Sequence, residues 1–146
     1  MAQGKGNSFI TDLLTLIFNA TAIASLAANA ASNAATNLYI SLHTAALSAS
    51  STQNTSEAVY TSYDRVAVAR TSGGWTVSGQ SVTPAATIIF PAATGGSETE
   101  TYWAIGLAAH TPAAGYLLYF GTISPTIAVS NGVTPELSTA STVTEA

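Results

Sequence analysis

Cysteine is absent from the 146 residues, which removes disulfide staples and thiolate chemistry and leaves the redox compartment undecided. Charge is nearly absent too. Lys, Arg, Asp and Glu make up 7% of the chain, against about 25% in an ordinary soluble domain, and no charged side chain occurs from Leu13 to Ser56. Lys5, Arg65 and Arg70 are the only cations, and the net charge is -4. So few cations cannot neutralise a run of phosphates, and nucleic acid is not expected as a direct partner. Long apolar runs are also missing. The stretch that begins at Leu13 is diluted by Asn19, Thr21 and Ser25, and a span needs about 20 mainly apolar residues, so no membrane span is expected. Lys5, the run Leu13 to Phe18 and Ala28-Asn29-Ala30 imitate a secretory signal peptide, but the same polar insertions weigh against that reading. No strict internal repeat is visible, which argues against a solenoid or a repetitive shaft.

What is present is Ala, Ser and Thr, with 47% hydrophobic residues. Charged, sign-mixed surfaces normally hold proteins apart in solution, so a chain this bland is expected to work against neighbours, other copies of itself among them. The length suits one domain, large enough to bury roughly 68–70% of its unfolded surface. The expected division is an N-terminal helical arm over residues 1–37 and a β-sandwich over 38–146. In the arm, Ser8 is a candidate cap with Asp12 in the first turn, and Ile10, Leu13, Leu14, Ile17 and Phe18 recur at helical spacing. Alanine then predicts continued helix through Ala35. A helix this apolar needs cover, either from its own β domain or from an adjacent subunit.

At Leu38 the period changes to two: Leu38, Ile40 and Leu42 alternate with Tyr39, Ser41 and His43, the pattern of a half-buried strand. Residues 44–58 form a Ser/Thr-rich loop, long enough to suspect a contact or a mobile excursion. Strands are predicted in Tyr63 to Arg70, at Trp75-Thr-Val-Ser, over Val82 to Phe90, Thr101 to Ala109, Tyr116 to Phe120, Thr126 to Val129 and Val133 to Leu137, punctuated by Gly and Pro. Asn131-Gly132 is a turn signal. Short strands at this spacing indicate a mainly β fold, an antiparallel β-sandwich of jelly-roll or Greek-key type, behind an Ala-rich helical arm.

Chemistry-bearing groups are sparse. His43 and His110, with Glu98 and Glu100, could be imagined as a metal site, but no short His-x-His or His-Glu-x-x-His spacing supports it. Acid–base catalysis would need two carboxylates with separated pKa values, and Glu98 and Glu100 read as a solvated Gly/Ser/Thr loop. No catalytic residue, cofactor or metal is therefore expected. Arg65, beside Asp64, and Arg70 are expected to pair with carboxylates, within the fold or across an interface. The aromatic set is read by default as core. Tyr102 and Trp103 are neighbours pointing to opposite faces, so one of them is outward or covered by another subunit. Candidate interface residues are accordingly Leu13, Leu14, Ile17, Phe18, Tyr102, Trp103, Arg65 and Arg70.

The segments Leu38-Tyr-Ile-Ser-Leu-His-Thr-Ala, Tyr63-Asp-Arg-Val-Ala-Val-Ala-Arg, Gly74-Trp-Thr-Val, Ile89-Phe-Pro-Ala-Ala-Thr-Gly-Gly and Val129-Ser-Asn-Gly-Val-Thr-Pro occur in this order. Together they resemble a family of small tailed-bacteriophage virion proteins, often labelled tail fibre proteins, across about Leu38 to Thr144. The chain departs from that family after His43-Thr44-Ala45, where an Asp-Pro-Gly turn is usual and Ala46-Leu47-Ser48 stands instead. The resemblance implies a non-enzymatic β-sandwich component of the virion. The size and the arm also resemble capsid decoration, or cement, proteins. A cement or neck-associated subunit is the preferred expectation, and a tail fibre or baseplate protein binding a host glycan through exposed aromatics is the alternative. The implied partners are the major capsid protein or neck and tail proteins, and copies of itself, in the virion.

Overall fold

The computed structural model describes residues 7–23, 35–110 and 114–145. Among them the chain is mainly β, with antiparallel sheets and an N-terminal helix, consistent with the expected β-sandwich class. It forms two compact units: Met1–Thr36 with Ala69–Thr87 and Leu137–Ala146, and Asn37–Val68 with Ile88–Glu136.

The first unit holds helix α1 (Asn7–Asn19) against strands β3 (Trp75–Ser78), β4 (Ser81–Pro84) and β9 (Val143–Thr144). Ile10, Leu14 and Phe18 recur every four residues, so they share one stripe of the helix, and that stripe is buried. Phe18 meets Trp75 edge-on, with ring centroids 4.7 Å apart. Polar fastenings flank the stripe: Thr11 Oγ1 donates to the Gly79 carbonyl at 2.7 Å and Gln80 Nε2 to Asn7 Oδ1 at 2.8 Å. The helix begins at Asn7, so Ser8 lies inside it and Asp12 lies beyond its first turn.

Alanine propensity predicts helix well past Phe18, yet α1 ends at Asn19. Ala20 adopts φ 54°, the left-handed conformation that turns a chain out of a helix, and Thr21 N–H reaches back to the Thr15 carbonyl at 3.3 Å. The predicted continuation over 24–34 lies outside the described residues. Arg70 completes the end by donating from Nε to the Ile17 carbonyl at 2.5 Å and from Nη2 to the Leu16 carbonyl at 2.6 Å. These carbonyls have no partner inside a helix, and a cation there also suits the helix dipole. A Cβ in the left-handed region costs about 1–2 kcal/mol. Ala20→Gly is therefore expected to raise the stability of this unit by about 1 kcal/mol, read as a shift of the denaturation midpoint at unchanged slope.

In the second unit, β2 (Val66–Ala69), β1 (Asn37–His43), β6 (Ser97–Gly106) and β7 (Leu117–Ser130) form a sheet in that spatial order, and β5 (Ile88–Ile89) pairs with β8 (Glu136–Leu137). In the antiparallel β1–β6 register Ile40 faces Ile105 and Leu42 faces Trp103, while Ser41 faces Ala104 and His43 faces Tyr102. Residues directly opposite share a face of the sheet. The alternation predicts one solvated face for β1, but Ser41 and His43 are as fully buried as Ile40 and Leu42. The reason is the 44–58 segment, which folds back on β1. Thr44 N–H donates to the Ser56 carbonyl and Ala58 N–H to the Leu42 carbonyl, both at 2.9 Å. Gln53, fully buried, donates from Nε2 to the Tyr39 carbonyl and accepts from Ala108 N–H, each at 3.1 Å. Gly106 is needed beneath it, because a Cβ there would overlap the Gln53 amide.

Several predicted boundaries shift, with β6 running over Ser97–Gly106 and β8 over Glu136–Leu137 only. Val82 to Phe90 is interrupted into β4 and β5, which belong to different sheets. Tyr116 to Phe120 and Thr126 to Val129 join into the single strand β7. Pro125 reads as a separator, but it is tolerated because β7 lies at the sheet edge and because the register there jumps from Glu100↔Ile127 to Tyr102↔Thr122.

Candidate functional site

The densest polar cluster is built where the returning segment meets β1. Glu57 and Arg65 form a two-pronged ion pair, Nε to Oε1 and Nη2 to Oε2, each at 2.7 Å, with side chains 7% and 1% exposed. Such a fork is the geometry for which guanidinium and carboxylate are matched. The Tyr63 hydroxyl donates to Glu57 Oε1 at 2.9 Å and accepts from Leu42 N–H at 3.1 Å. Arg65 Nη1 reaches the carbonyls of Ala108 and Ala109 at 2.9 and 3.3 Å. Burial, reinforced by the Glu57 carboxylate, pushes the Tyr63 phenol far above its ordinary pKa, so it remains a donor. His43 stands alongside. Its Nδ1 lies 2.9 Å from the Thr55 carbonyl, which can only accept, so Nδ1 carries the proton and Nε2 accepts from Ser41 Oγ at 2.9 Å. Burial holds the imidazole below its usual pKa. A group lowered in this way favours the fold above 6.5, and that contribution is lost as the pH falls.

A second feature corrects an expectation. Glu98 and Glu100 lie on β6, not in a solvated loop, and Glu100 is fully buried. Two residues apart on a strand, they share a face. Glu98 Oε1 accepts from Val59 N–H and Tyr60 N–H, both at 2.8 Å, whereas both oxygens of Glu100 are sealed from solvent with the Glu98 carboxylate as the polar group beside them. Burial first, and the Glu98 carboxylate second, push the Glu100 pKa up to about 8, so the group is a neutral acid at pH 7. Burial first, and then the Glu100 and Glu98 carboxylates, also raise the Tyr60 phenol to about 12. Because the unfolded chain ionises this carboxyl near 4.5, the folded state holds the extra proton, and stability falls as the pH rises toward 8. Glu100→Gln is expected to flatten the slope between about pH 7.5, one unit above the 6.5 of unfolded His43 and so past most of its titration, and pH 8. The slope removed is up to about 1.4 kcal/mol per pH unit, measured by urea denaturation across that window. A wild-type curve already flat there refutes the burial argument.

These groups contain no cluster of three or more His, Asp or Glu able to hold a metal among the described residues. His110 packs edge-on against the Tyr63 ring, with centroids 5.1 Å apart, and its Nδ1 lies 3.5 Å from Asp64 Oδ1.

The sequence-derived interface candidates separate into distinct environments. Leu14 and Phe18 lie in the core of the helix unit, while Leu13 and Ile17 are half-buried on α1. Arg65 belongs to the buried ion pair, and Arg70 binds carbonyls rather than a carboxylate. Trp103 is buried over Gly121, where a Cβ would come within 3.2 Å of Nε1. Tyr102, on the opposite face of β6, is half-buried. Of the remaining aromatics, Tyr60, Tyr63, Trp75 and Phe90 are core, and Tyr116 and Phe120 are exposed. Sequence reasoning missed Glu57, Gln53 and the buried state of Glu100. The signal for Glu57 was available, since it is the first charged residue after the uncharged stretch and a cation-poor chain has few carboxylates near Arg65.

What these residues form is a mainly β protein in which Glu57, Arg65 and Glu98 hold returning segments and Arg70 closes a helix. The family described as Podophage GP4 fiber I protein gp80 matches residues 14–145. The chain belongs to this family, and it is a phage fibre-type structural protein of the virion. Among curated proteins nothing matches it. No helix among the described residues is long and apolar enough to cross a membrane.

Proposed function

We propose that the protein is a non-enzymatic fibre subunit that works by burying uncharged surface against neighbouring virion chains, including copies of itself. The family match over residues 14–145 carries this reading. The engagement of Arg65 and Arg70 inside the fold supports it, because neither is left to steer a charged partner. Neutral contacts of this kind contribute roughly 25 cal/mol per Å² before association costs and are insensitive to salt. Locating the subunit in intact particles by electron microscopy tests the assignment. Density in a fibre is expected, and density spread over the capsid lattice overturns it.

A second reading, a cement or neck-associated subunit touching the major capsid protein, is favoured by the uncharged stretch from Leu13 to Ser56, which suits a lattice contact. It requires that particles stripped of the protein melt at a lower temperature, and unchanged particles refute it. Binding of a host glycan by exposed aromatics would show as adsorption of the purified protein to host cells.

A further inference from the structure

Asn131-Gly132 forms the turn that leaves β7, and nowhere else in the chain is an asparagine followed by glycine; every other asparagine precedes Ser, Ala, Leu or Thr. The amide carbon of an asparagine is open to attack by the backbone nitrogen of the next residue, and glycine, with no Cβ, leaves that nitrogen uncrowded. Both residues are exposed. The fold nevertheless holds the pair away from reaction. Val133 N–H donates to the Ser130 carbonyl at 2.9 Å, and Gly132 takes φ 89° while Asn131 has no positive φ. That combination is a type II turn, with ψ of its first central residue at about +120°. Ring closure needs the Gly132 nitrogen eclipsed with the Asn131 Cβ, which is a rotation about the Asn131 Cα–C bond away from this ψ. A second bond opposes the rotation. Gly132 N–H donates to the Ala93 carbonyl at 2.7 Å, and Ala93, itself buried, donates its N–H to the Val133 carbonyl at 2.8 Å.

We propose that Asn131 is a deamidation site kept closed by this turn and by the Gly132–Ala93 bond, and that it converts only when residues 130–133 open. In the open chain the Gly132 nitrogen gives its proton to water and bonds to Asn131 Cγ, the bond from Cγ to the amide nitrogen breaks, and ammonia leaves with a proton from water. Water then adds to one of the two carbonyls of the cyclic imide. Cleavage at Cγ gives aspartate in an unchanged backbone, and cleavage at the backbone carbonyl gives isoaspartate, whose chain runs through Cβ. The sum is amide plus water to acid plus ammonia, with nothing oxidised or reduced. The isoaspartate backbone is one atom longer, so the turn no longer fits against Ala93, and each opening that leads to reaction is recorded permanently. The inference is independent of the virion role.

The test uses the full chain at neutral pH, with peptide mapping by mass spectrometry and isoaspartate-specific methylation as readouts. The native protein is expected to convert Asn131 about 10-fold or more slowly than the same chain in urea, because only the open fraction reacts. In urea Asn131 is expected to outpace every other asparagine, and Gly132→Ala to remove that lead. Ala93→Pro, which deletes the N–H given to Val133, is expected to bring native conversion up toward the urea rate. Should that variant fail to fold, hydrogen exchange on the wild type decides: the Gly132 amide, although its residue is exposed, is expected to be protected by about the same factor as Asn131 is slowed. Native conversion as fast as in urea, no lead for Asn131 in urea, an unprotected Gly132 amide, or a folded Ala93→Pro protein that converts no faster overturns the proposal.

Discussion

Replacing Glu57 by alanine is expected to remove about 3–5 kcal/mol of stability, the cost of leaving a buried guanidinium without its counter-charge. Arg65 loses two bonds of 2.7 Å at a side chain only 1% exposed, and the Ala108 and Ala109 carbonyls that remain are neutral acceptors. The Tyr63 hydroxyl loses its acceptor in the same step. Because a domain of this size is stable by only about 5–15 kcal/mol, a loss of this size is a large share of the total. The chain has two tryptophans, and Trp103 lies in the same unit as the ion pair. Its fluorescence in a Trp75→Phe background therefore reads the transition. The double change Glu57→Leu with Arg65→Met is expected to cost less than Glu57→Ala alone, since apolar replacement of both partners leaves no orphaned charge. A loss below about 1 kcal/mol for Glu57→Ala would place the pair among solvent-screened surface bridges and refute the assignment.

Phe18→Ala is the second large effect, about 3–5 kcal/mol. Phe18 is fully buried, it closes the apolar stripe of α1, and it lies edge-on to Trp75. Removing the ring leaves a void lined by Trp75, because neighbouring side chains relax only partly into such a space. The fluorescence of Trp75 in a Trp103→Phe background reports the midpoint directly. Leu13→Ala, on a half-buried position of the same helix, is expected to cost distinctly less. Equal losses at the two positions would mean that the stripe has been assigned to the wrong face of α1.

The apolar stripe Ile10, Leu14, Phe18 was legible because a helix repeats every 3.6 residues whatever it packs against. The existence of strand β1 was legible for the same kind of reason, though not the burial of Ser41 and His43, which the returning 44–58 segment covers. The end of α1 was not, since propensity favours alanine at every position after Asn19, and what stops the helix is a left-handed Ala20 together with a guanidinium supplied from position 70. Glu100 was misread because its neighbours in sequence are polar, while its burial comes from residues remote in the chain. Pro125 looked like a boundary, because edge position and register jumps are properties of the sheet and have no local code.

The sequence by itself determined the period of each element, the mainly β class, the scarcity of charge and, through five ordered segments, the kinship with phage virion proteins. All of these are local or compositional. Only the tertiary structure decided which carboxylate Arg65 meets, that Arg70 closes a helix, that Glu100 holds a proton, and which strand is left at the edge. Each of those is a contact between residues remote in the chain, and its strength depends on burial, which no single segment can report.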